Sequence, residues 1–390
     1  MSSSDSSPLI YLVALEPSGD ALGSRLMTAL RASAPSGIRI AGVGGESMGE
    51  AGLKTLFDPS DLAILGIFEV LPKASLVLRR VREVVADIER LKPDVLVTID
   101  SWGFTGRVHK ALTKRDNPVK RVRYVAPQVW AWRPGRAKQL AAWIDHLITL
   151  FPFEPPLFEA HGLPATWVGH PVVEDETVVN HAQAFRRTHD IGDDAPIVVV
   201  LPGSRKAEVK ALMPIFGETI KQLWATFPAT HFIVPTIGAV EAPVTAWAQS
   251  LSAPVHVVAG NDMRDRAFAA ASVGLAASGT VTLELARAGV PHVIAYKVNP
   301  LSAFAFKRLA KTKFVNLINV LLGQDIVPEY LQGDCKPDVL ALKVGTLLTD
   351  VSARQTQKSA FTAALDHLRR GETSPSANAA KVVLGLIESP

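Results

Sequence analysis

The sequence predicts an α/β protein built from two doubly wound, Rossmann-like parallel-sheet domains that face a cleft. Short runs rich in β-branched residues alternate with amphipathic helical stretches along the whole chain. These runs are apolar on both faces, as are the strands of parallel sheets that helices cover on both sides. A chain of 390 residues also exceeds the ~250 to 300 residues at which a single core stops growing. Two domains are therefore expected, with ligands at the carboxyl ends of their strands.

The predicted strands form two sets that a polar segment separates. The first set is Ile10–Leu15, Ile38–Val43, Val95–Ile99, Val122–Val125 and His146–Leu150, and the second is Ile197–Leu201, Phe232–Val234, Val255–Val258, Val273–Ala276 and His292–Ala295. Between them, Val172–Ala195 breaks the apolar rhythm with acidic, His and Gly-Asp-Asp-Ala-Pro sequences. We place an amino-terminal domain at residues 1–185 and a carboxy-terminal domain at 186–350. The helical segment 351–390 is expected to return to the first domain.

Composition narrows the classes of function. The net charge of +4 and the pI near 9.1 suit anionic small molecules or an anionic membrane surface better than a nucleic-acid groove. No segment approaches the ~18 apolar residues of a membrane span, and the presence of one cysteine alone fits a reducing cytosol. The single cysteine, Cys335, excludes an intramolecular disulfide framework and a Cys-based zinc site. A mean hydropathy of +0.19 suggests apolar surface for a partner, and a homodimer is one such arrangement.

Two turns in the second half are typical of phosphate binding. Each follows an apolar strand and opens a helix, so backbone N–H groups and the positive end of the helix dipole point outward. A glycine lets the backbone approach an anion closely, and an arginine adds a fork of donors. The turns consist of Gly203, Ser204 and Arg205, and of Ser278, Gly279 and Thr280 with Glu284 in the following helix. Two such turns in one half predict a diphosphate site.

Carboxylates follow two strands of the first half. Glu16 comes after the first strand, where it either faces the cleft or is a charge at a helix N-terminus. Asp100 closes the third strand and is either the N-cap of the next helix or a general base at the edge of the sheet. Spacing alone favours the cap for Asp100.

Other turns of the first half are candidates for an acceptor site. The second turn is rich in glycine and is expected to admit a ligand against bare backbone. A later loop carries two tryptophans, and large aromatic residues in a loop usually stack on something. The candidates are Ser18, Gly19, Gly44, Gly45, Gln128, Trp130 and Trp132.

Neither a metal nor an organic cofactor is predicted. The acidic residues 174–176 have no strand immediately before them, and the histidines lack a ligand-like spacing. Two stretches, Gly66–Arg82 and Ala303–Lys311, join an apolar segment to a basic one. Each either rests on an anionic membrane or is an ordinary core-facing amphipathic helix.

Together these motifs resemble those of the lipid-A-disaccharide synthase family, whose members are inverting glycosyltransferases with the two-domain GT-B fold. The most specific match is Tyr124–Arg133, which contains Pro-x-Val-Trp-Ala-Trp. The other matches, in family order, are Glu16–Asp20, Gly42–Met48, Gly66–Leu71, Ile99–Asp100, Phe151–Glu154, Gly169–Pro171, Leu201–Glu208, Ala277–Glu284 and Pro328–Gln332.

The resemblance implies a reaction in which UDP-2,3-diacylglucosamine donates its sugar to the 6-hydroxyl of 2,3-diacylglucosamine 1-phosphate. The products are a β-1,6 disaccharide 1-phosphate and UDP, no metal is needed, and the enzyme lies on the cytoplasmic face of the inner membrane of a Gram-negative cell. The resemblance favours Asp100 over Glu16 as the base and places Arg205 and both turns on the diphosphate, with Glu284 on the ribose. The resemblance also implies that Asn319 contacts the donor; it stands in Leu317-Ile318-Asn319, where the family has Leu-Pro-Asn.

Two alternatives remain open from the sequence. A UDP-N-acetylglucosamine 2-epimerase would share the fold and the diphosphate site but would need no surface for acyl chains. A non-catalytic module that binds nucleotide sugars at a membrane would bind UDP without turnover, and the retention of Asp100, Arg205 and Glu284 argues against it.

Overall fold

A computed structural model describes residues 7–63, 74–174, 181–297 and 312–388. The chain divides into two compact units. Unit 1 comprises Met1–Glu174 together with Leu368–Pro390, and unit 2 comprises Asp175–His367.

Unit 1 is a six-stranded parallel sheet with the strand order β2-β1-β3-β4-β5-β6. Its elements up to the crossing into unit 2 are β1 (Leu9–Ala14), α1 (Pro17–Ser33), β2 (Arg39–Val43), α2 (Glu46–Glu50), α3 (Ser60–Ala63), α4 (Ala74–Leu91), β3 (Val95–Ile99), α5 (Trp102–Thr113), β4 (Lys120–Tyr124), α6 (Gly135–Ala141), β5 (His146–Thr149), α7 (Pro155–Glu159) and β6 (Ala165–Trp167).

Unit 2 is a second six-stranded parallel sheet, with the order β12-β11-β10-β7-β8-β9. Its elements are α8 (Ala182–Thr188), β7 (Ile197–Leu201), α9 (Lys206–Thr226), β8 (His231–Thr236), α10 (Gly238–Gln249), β9 (Val255–Ala259), α11 (Asn261–Ala270), β10 (Val273–Ala277), α12 (Val281–Arg287), β11 (His292–Tyr296), α13 (Leu317–Leu322), β12 (Glu329–Leu331), α14 (Pro337–Thr349) and α15 (Val351–Asp366). The last helix, α16 (Pro375–Glu388), belongs to unit 1. The predicted fold class is confirmed.

The core of each unit lies where helices cover the central strands of its sheet. Every residue of β1, β3, β7 and β10 is buried, because both faces of these central strands are covered. Helices pack on them through one apolar face, as α4 does through Val77, Val81, Val84, Val85 and Ile88.

Each sheet has a topological switch point, where successive connections leave the first strand in opposite directions. In unit 1, β1 lies between β2 and β3, and in unit 2, β7 lies between β8 and β10. The crevices therefore open at the carboxyl ends of β1 and β3, and at those of β7 and β10.

The unit boundaries differ from those placed by sequence. Unit 1 ends at Glu174 instead of residue 185, because α8 packs against α11 within unit 2. The return begins at Leu368 instead of residue 351, because α15 stays on unit 2. There, Gln357 accepts a hydrogen bond from the His292 backbone N–H at 2.8 Å and donates to its carbonyl at 3.2 Å.

The returning segment is fastened to unit 1 by polar contacts as well as by packing. Helix α16 packs against α1. Glu174 accepts hydrogen bonds from the Ser376 backbone N–H and from its hydroxyl, the latter at 2.9 Å. Its carboxylate also lies 3.5 Å from the Arg25 guanidinium.

The two apolar-basic stretches have different outcomes. The part of the first that is described forms the start of α4, whose apolar face is buried in the core. This part is therefore a core-facing amphipathic helix. The rest of that stretch and all of Ala303–Lys311 lie outside the described residues. Among the helices that the structure describes, none has the length and apolar character needed to cross a bilayer.

Candidate active site

Two carboxylates meet at the switch point of unit 1. Strands β1 and β3 are paired in parallel, with Ala14 opposite Ile99, so the residues after them share one edge of the sheet. Glu16 and Asp100 are both partly exposed there. The Ser101 hydroxyl donates a hydrogen bond to Glu16 Oε1 at 3.3 Å, linking the two turns. The sequence-predicted pair is thus brought together.

Asp100 does not cap the following helix. The N-cap of α5 is Ser101, and no side chain makes a capping hydrogen bond there. Asp100 and Ser101 both have a φ of 48°, in the left-handed region, which costs roughly 1 to 3 kcal/mol for each non-glycine residue. The interpretation that spacing alone favoured is therefore wrong, and a strained turn presents the Asp100 carboxylate at the sheet edge.

A buried arginine lies behind Asp100. Arg123 of β4 has a side chain that is only 1% exposed, and its Nη2 lies 3.7 Å from Asp100 Oδ1. Its Nε donates to the Val125 carbonyl at 3.0 Å and its Nη1 to the Thr105 hydroxyl at 2.7 Å. Burial lowers the pKa of Arg123 to about 10, and the Asp100 carboxylate opposes this shift. The guanidinium is thus held by two hydrogen bonds and places a positive charge beside the Asp100 carboxylate.

The loop after β4, which carries Trp130 and Trp132, is held in place by hydrogen bonds to Glu154. Trp130 Nε1 donates to Glu154 Oε1 at 3.3 Å, and the backbone N–H groups of Leu150 and Phe151 donate to Glu154 Oε2 at 3.2 and 3.1 Å. Burial raises the pKa of Glu154 to about 8, although these hydrogen bonds oppose the shift. Gln128 is exposed on this loop. Glu154 therefore holds the loop in place.

The glycine-rich turn after β2 does not offer bare backbone to a ligand. The Gly45 N–H donates to Asp20 Oδ1 at 2.7 Å, and the Gly44 N–H donates to the Thr55 hydroxyl at 3.2 Å. A Cβ at Gly44 would come within 2.6 Å of the Met48 sulfur. The expectation for these two glycines is therefore wrong, because the turn packs on its own unit.

The first turn of α1 places its two candidate residues differently. Ser18 is exposed beside Glu16, whereas Gly19 is buried. A Cβ at Gly19 would lie 3.5 Å from the Ile99 side chain, which is ordinary contact. Ser18 thus remains accessible at the switch point, and Gly19 serves the packing of α1 on β3.

The first turn of unit 2 has the geometry expected of an anion site. Gly203 has a φ of +112°, and a Cβ there would come within 2.7 Å of Glu208 Oε2. Ser204 is exposed, and Arg205 is the N-cap of the 21-residue helix α9. The Arg205 guanidinium is 70% exposed and lies 3.3 Å from Glu208 Oε1. An anion at this turn would lie beside an exposed guanidinium and the N-terminus of a long helix.

The second turn lies beside the first, because β10 and β7 are paired in parallel. The Ser278 hydroxyl donates to the Val315 carbonyl at 3.0 Å, while Gly279 and Thr280 are exposed. Glu284 Oε2 lies 3.4 Å from Arg264 Nη1 of α11. Arg264 and Arg123 were not found by sequence reasoning. The only signal for Arg123 was a charged residue inside an apolar strand.

Asn319 is a structural residue instead of a ligand contact. Its side chain is wholly buried, its Nδ2 donates to the Val327 carbonyl at 2.8 Å and to Glu329 Oε1 at 2.9 Å, and its Oδ1 accepts from the N–H groups of Ile326 and Val327. An amide has no further strong hydrogen-bonding capacity. The expectation that Asn319 contacts the donor is therefore not supported by this geometry.

Replacing Asn319 by alanine is expected to lower the free energy of unfolding by at least ~3 kcal/mol, because several buried partners lose their hydrogen bonds together. Urea unfolding measures the change. The exposed Asn261 in the same unit provides the control, and Asn261→Ala should change stability by no more than ~0.5 kcal/mol. Equal effects of the two substitutions would contradict the structural role of Asn319.

Among the described residues, no group of three or more His, Cys, Asp or Glu side chains is placed to hold a metal ion. Cys335 is buried, and burial raises the pKa of its thiol.

Comparison with solved structures identifies the fold. A UDP-GlcNAc 2-epimerase from Neisseria meningitidis, solved with UDP-GlcNAc, superposes with a TM-score of 0.66 at 10% identity, covering 97% of this chain and 98% of that one. MurG from Acinetobacter baumannii superposes with a TM-score of 0.54 at 15% identity, covering 98% of this chain and 99% of that one. At such identities the likeness shows the shared GT-B fold.

Comparison of sequences is more specific. The lipid-A-disaccharide synthetase family profile matches residues 10–383. The lipid-A-disaccharide synthase of Rhodospirillum centenum is 46% identical over 379 residues, covering 97% of this chain and 94% of that protein. That of Paramagnetospirillum magneticum is 48% identical over 381 residues, covering 97% of each. These full-length matches disfavour the epimerase alternative, and the chain belongs to the lipid-A-disaccharide synthetase family of glycosyltransferases.

Proposed function

We propose that this enzyme transfers 2,3-diacylglucosamine from UDP-2,3-diacylglucosamine to the 6-hydroxyl of 2,3-diacylglucosamine 1-phosphate, with inversion. The products are the β-1,6 disaccharide 1-phosphate and UDP. The observation that carries the proposal is the chemistry of the two switch points. One presents carboxylates that can accept a proton, and the other presents two adjacent turns suited to a diphosphate.

Unit 1 supplies the base. As the acceptor's O6 attacks C1 of the donor sugar, its proton passes to an Asp100 oxygen, and the C1–O bond to the diphosphate breaks with its electron pair leaving on UDP. A positioned base contributes typically ~10² to 10⁴ in rate. Arg123 places a positive charge 3.7 Å from the Asp100 carboxylate, and hydrogen bonds to Val125 and Thr105 hold its guanidinium there. Glu16, joined to the same edge through Ser101, is the alternative base.

Unit 2 holds the nucleotide. Three groups stabilise the negative charge that develops on the leaving diphosphate: the backbone of the Gly203–Ser204 turn, the Arg205 guanidinium and the Ser278–Thr280 turn. The Arg205 guanidinium, 70% exposed beside the largely buried Glu208 carboxylate, turns from this ion pair to the diphosphate. Glu284, oriented by Arg264, accepts a hydrogen bond from the ribose.

The transfer is expected to survive chelation, because donors from the protein take the electrostatic role that a metal has in other transferases. Turnover measured with and without EDTA should agree within two-fold. A loss of activity that Mg²⁺ or Mn²⁺ restores would contradict the proposed stabilisation of UDP.

We also propose that the enzyme lies on the cytoplasmic face of the inner membrane, because both substrates carry acyl chains and Ala303–Lys311 combines apolar and basic residues. Binding to vesicles with anionic headgroups should weaken as salt rises. Replacing Lys307, Arg308 and Lys311 by serine should weaken it further, by at most ~1 kcal/mol for each cation. Flotation that neither change alters would contradict this location of the membrane contact.

The function itself is tested with the purified protein and both acylated substrates in detergent micelles. Disaccharide and UDP should appear together, and only when the acylated acceptor is present. An epimerase would instead convert a UDP-sugar without acceptor, and a binding module would bind UDP without releasing product.

A further inference from the structure

Two arginines of the loop after β4 pack against indole rings. The Arg133 guanidinium lies 4.4 Å from the ring centroid of Trp132, and that of Arg136 lies 5.2 Å from the same ring. Arg136 also lies 4.8 Å from the ring of Trp102, the first residue of α5. Both guanidinium groups therefore lie within cation–π distance of the Trp132 ring.

This pair of cations has no acidic partner. Within the part of the chain that the structure describes, neither Arg133 nor Arg136 has a carboxylate at ion-pair distance, whereas Arg121 and Arg123 of the neighbouring strand pair with Asp145 and Asp100. Burial lowers the pKa of Arg136, and the charge of Arg133 lowers it further. Two like charges are thus held together by packing alone, which favours the binding of an anion between or beside them.

The pair lies close to the proposed base. The ring of Trp102 contacts two guanidinium groups, that of Arg136 at 4.8 Å and that of Arg123 at 5.4 Å. Arg123 in turn lies 3.7 Å from the Asp100 carboxylate. Arg133, Arg136 and Asp100 therefore follow two paired strands, β3 and β4, at the same edge of unit 1. The acceptor's 6-hydroxyl and its 1-phosphate are on one sugar ring, so a base and a phosphate site must lie within the span of one sugar.

We propose that Arg133 and Arg136 bind the 1-phosphate of the acceptor sugar and so direct its 6-hydroxyl to Asp100. The proposal deepens the proposed function and rests on it. Planar guanidinium forks match the oxygens of a phosphate monoester, and binding it between two cations removes their mutual repulsion. The indoles of Trp132 and Trp102 keep both forks in place before the acceptor arrives.

The test combines enzyme variants with two acceptors, 2,3-diacylglucosamine 1-phosphate and the same sugar without its phosphate, in neutral detergent micelles that hold no anionic headgroup. We expect Arg133→Gln and Arg136→Gln each to raise the KM for the phosphorylated acceptor by roughly 10-fold or more. The KM for the donor should stay within two-fold. With the dephosphorylated acceptor, wild type and both variants should have the same, high KM.

Lys138 is the matched control, since it is an exposed cation on α6 of the same segment. Lys138→Gln should leave both KM values unchanged. Arg136 is half-buried, so its lysine variant and the melting temperatures of all variants separate loss of the phosphate contact from loss of the fold.

Three results would overturn the site: an equal KM of the wild type for the two acceptors, an effect of the arginine variants that persists without the phosphate, or an unchanged KM in both variants. Each of these leaves the transfer reaction intact. Absence of disaccharide from either acceptor with the wild-type enzyme would instead overturn the proposed function.

Discussion

Replacing Asp100 by asparagine is expected to lower kcat by ~10² or more and to leave UDP binding unchanged, with a small fall in melting temperature because Arg123 loses its charge partner. Asparagine keeps the shape of the side chain and, like aspartate, tolerates the left-handed backbone conformation found here. It cannot accept the proton of the acceptor's hydroxyl, so only the chemical step is slowed. Steady-state kinetics with both substrates saturating, together with thermal unfolding, measure these quantities.

Asp145 is the control. It also pairs with an arginine of β4, Arg121, but it lies just before β5, at the amino ends of the strands and away from Asp100. Asp145→Asn should keep kcat within two-fold of the wild type. If Asp100→Asn retains most of its kcat, Asp100 is not the base, and Glu16 becomes the residue to replace next.

Replacing Arg205 by alanine is expected to lower turnover by at least ~10², because the developing charge on the diphosphate loses a charge-assisted contact. The fold should be retained, since the Arg205 guanidinium is 70% exposed and an ion pair with a largely exposed partner contributes little to stability. Initial rates and thermal unfolding of the purified variant measure both effects.

Lys210, an exposed cation of the same helix α9, gives the matched comparison. Lys210→Ala makes the same change in net charge away from the turn and should leave turnover near that of the wild type. Activity of Arg205→Ala within a few-fold of wild type would show that the diphosphate binds elsewhere.

The strands of both sheets were predictable because central strands of parallel sheets are apolar along their whole length. The strands β6 and β12 were missed because each has three residues that are only partly buried, so neither shows a continuous apolar run. The unit boundaries were misplaced because α8 and α15 are attached by contacts with distant strands and helices, which local sequence does not reveal.

In the candidate site, too, local features could be predicted from the sequence and long-range contacts could not. Asp100, Glu16 and Arg205 could be proposed from the sequence because each lies in a turn that follows a predicted strand, whereas Arg123 and Arg264 contact residues that are distant in the chain. Residues were also assigned wrongly where a turn closes on its own unit. The glycine-rich turn was taken for a ligand site, but it is filled by Asp20, whose carboxylate accepts backbone hydrogen bonds.

The return of α16 to unit 1 sets the order in which the chain can fold during synthesis. Unit 2 is continuous in sequence, but unit 1 lacks the helix that packs on α1 and the Ser376 partner of Glu174 until the end of the chain emerges. At 5 to 20 residues per second, the roughly 200 residues after Glu174 take about 10 to 40 s to synthesise. During that time the side of α1 that α16 later covers lacks its partner helix, whereas all of unit 2 precedes α16 in the chain.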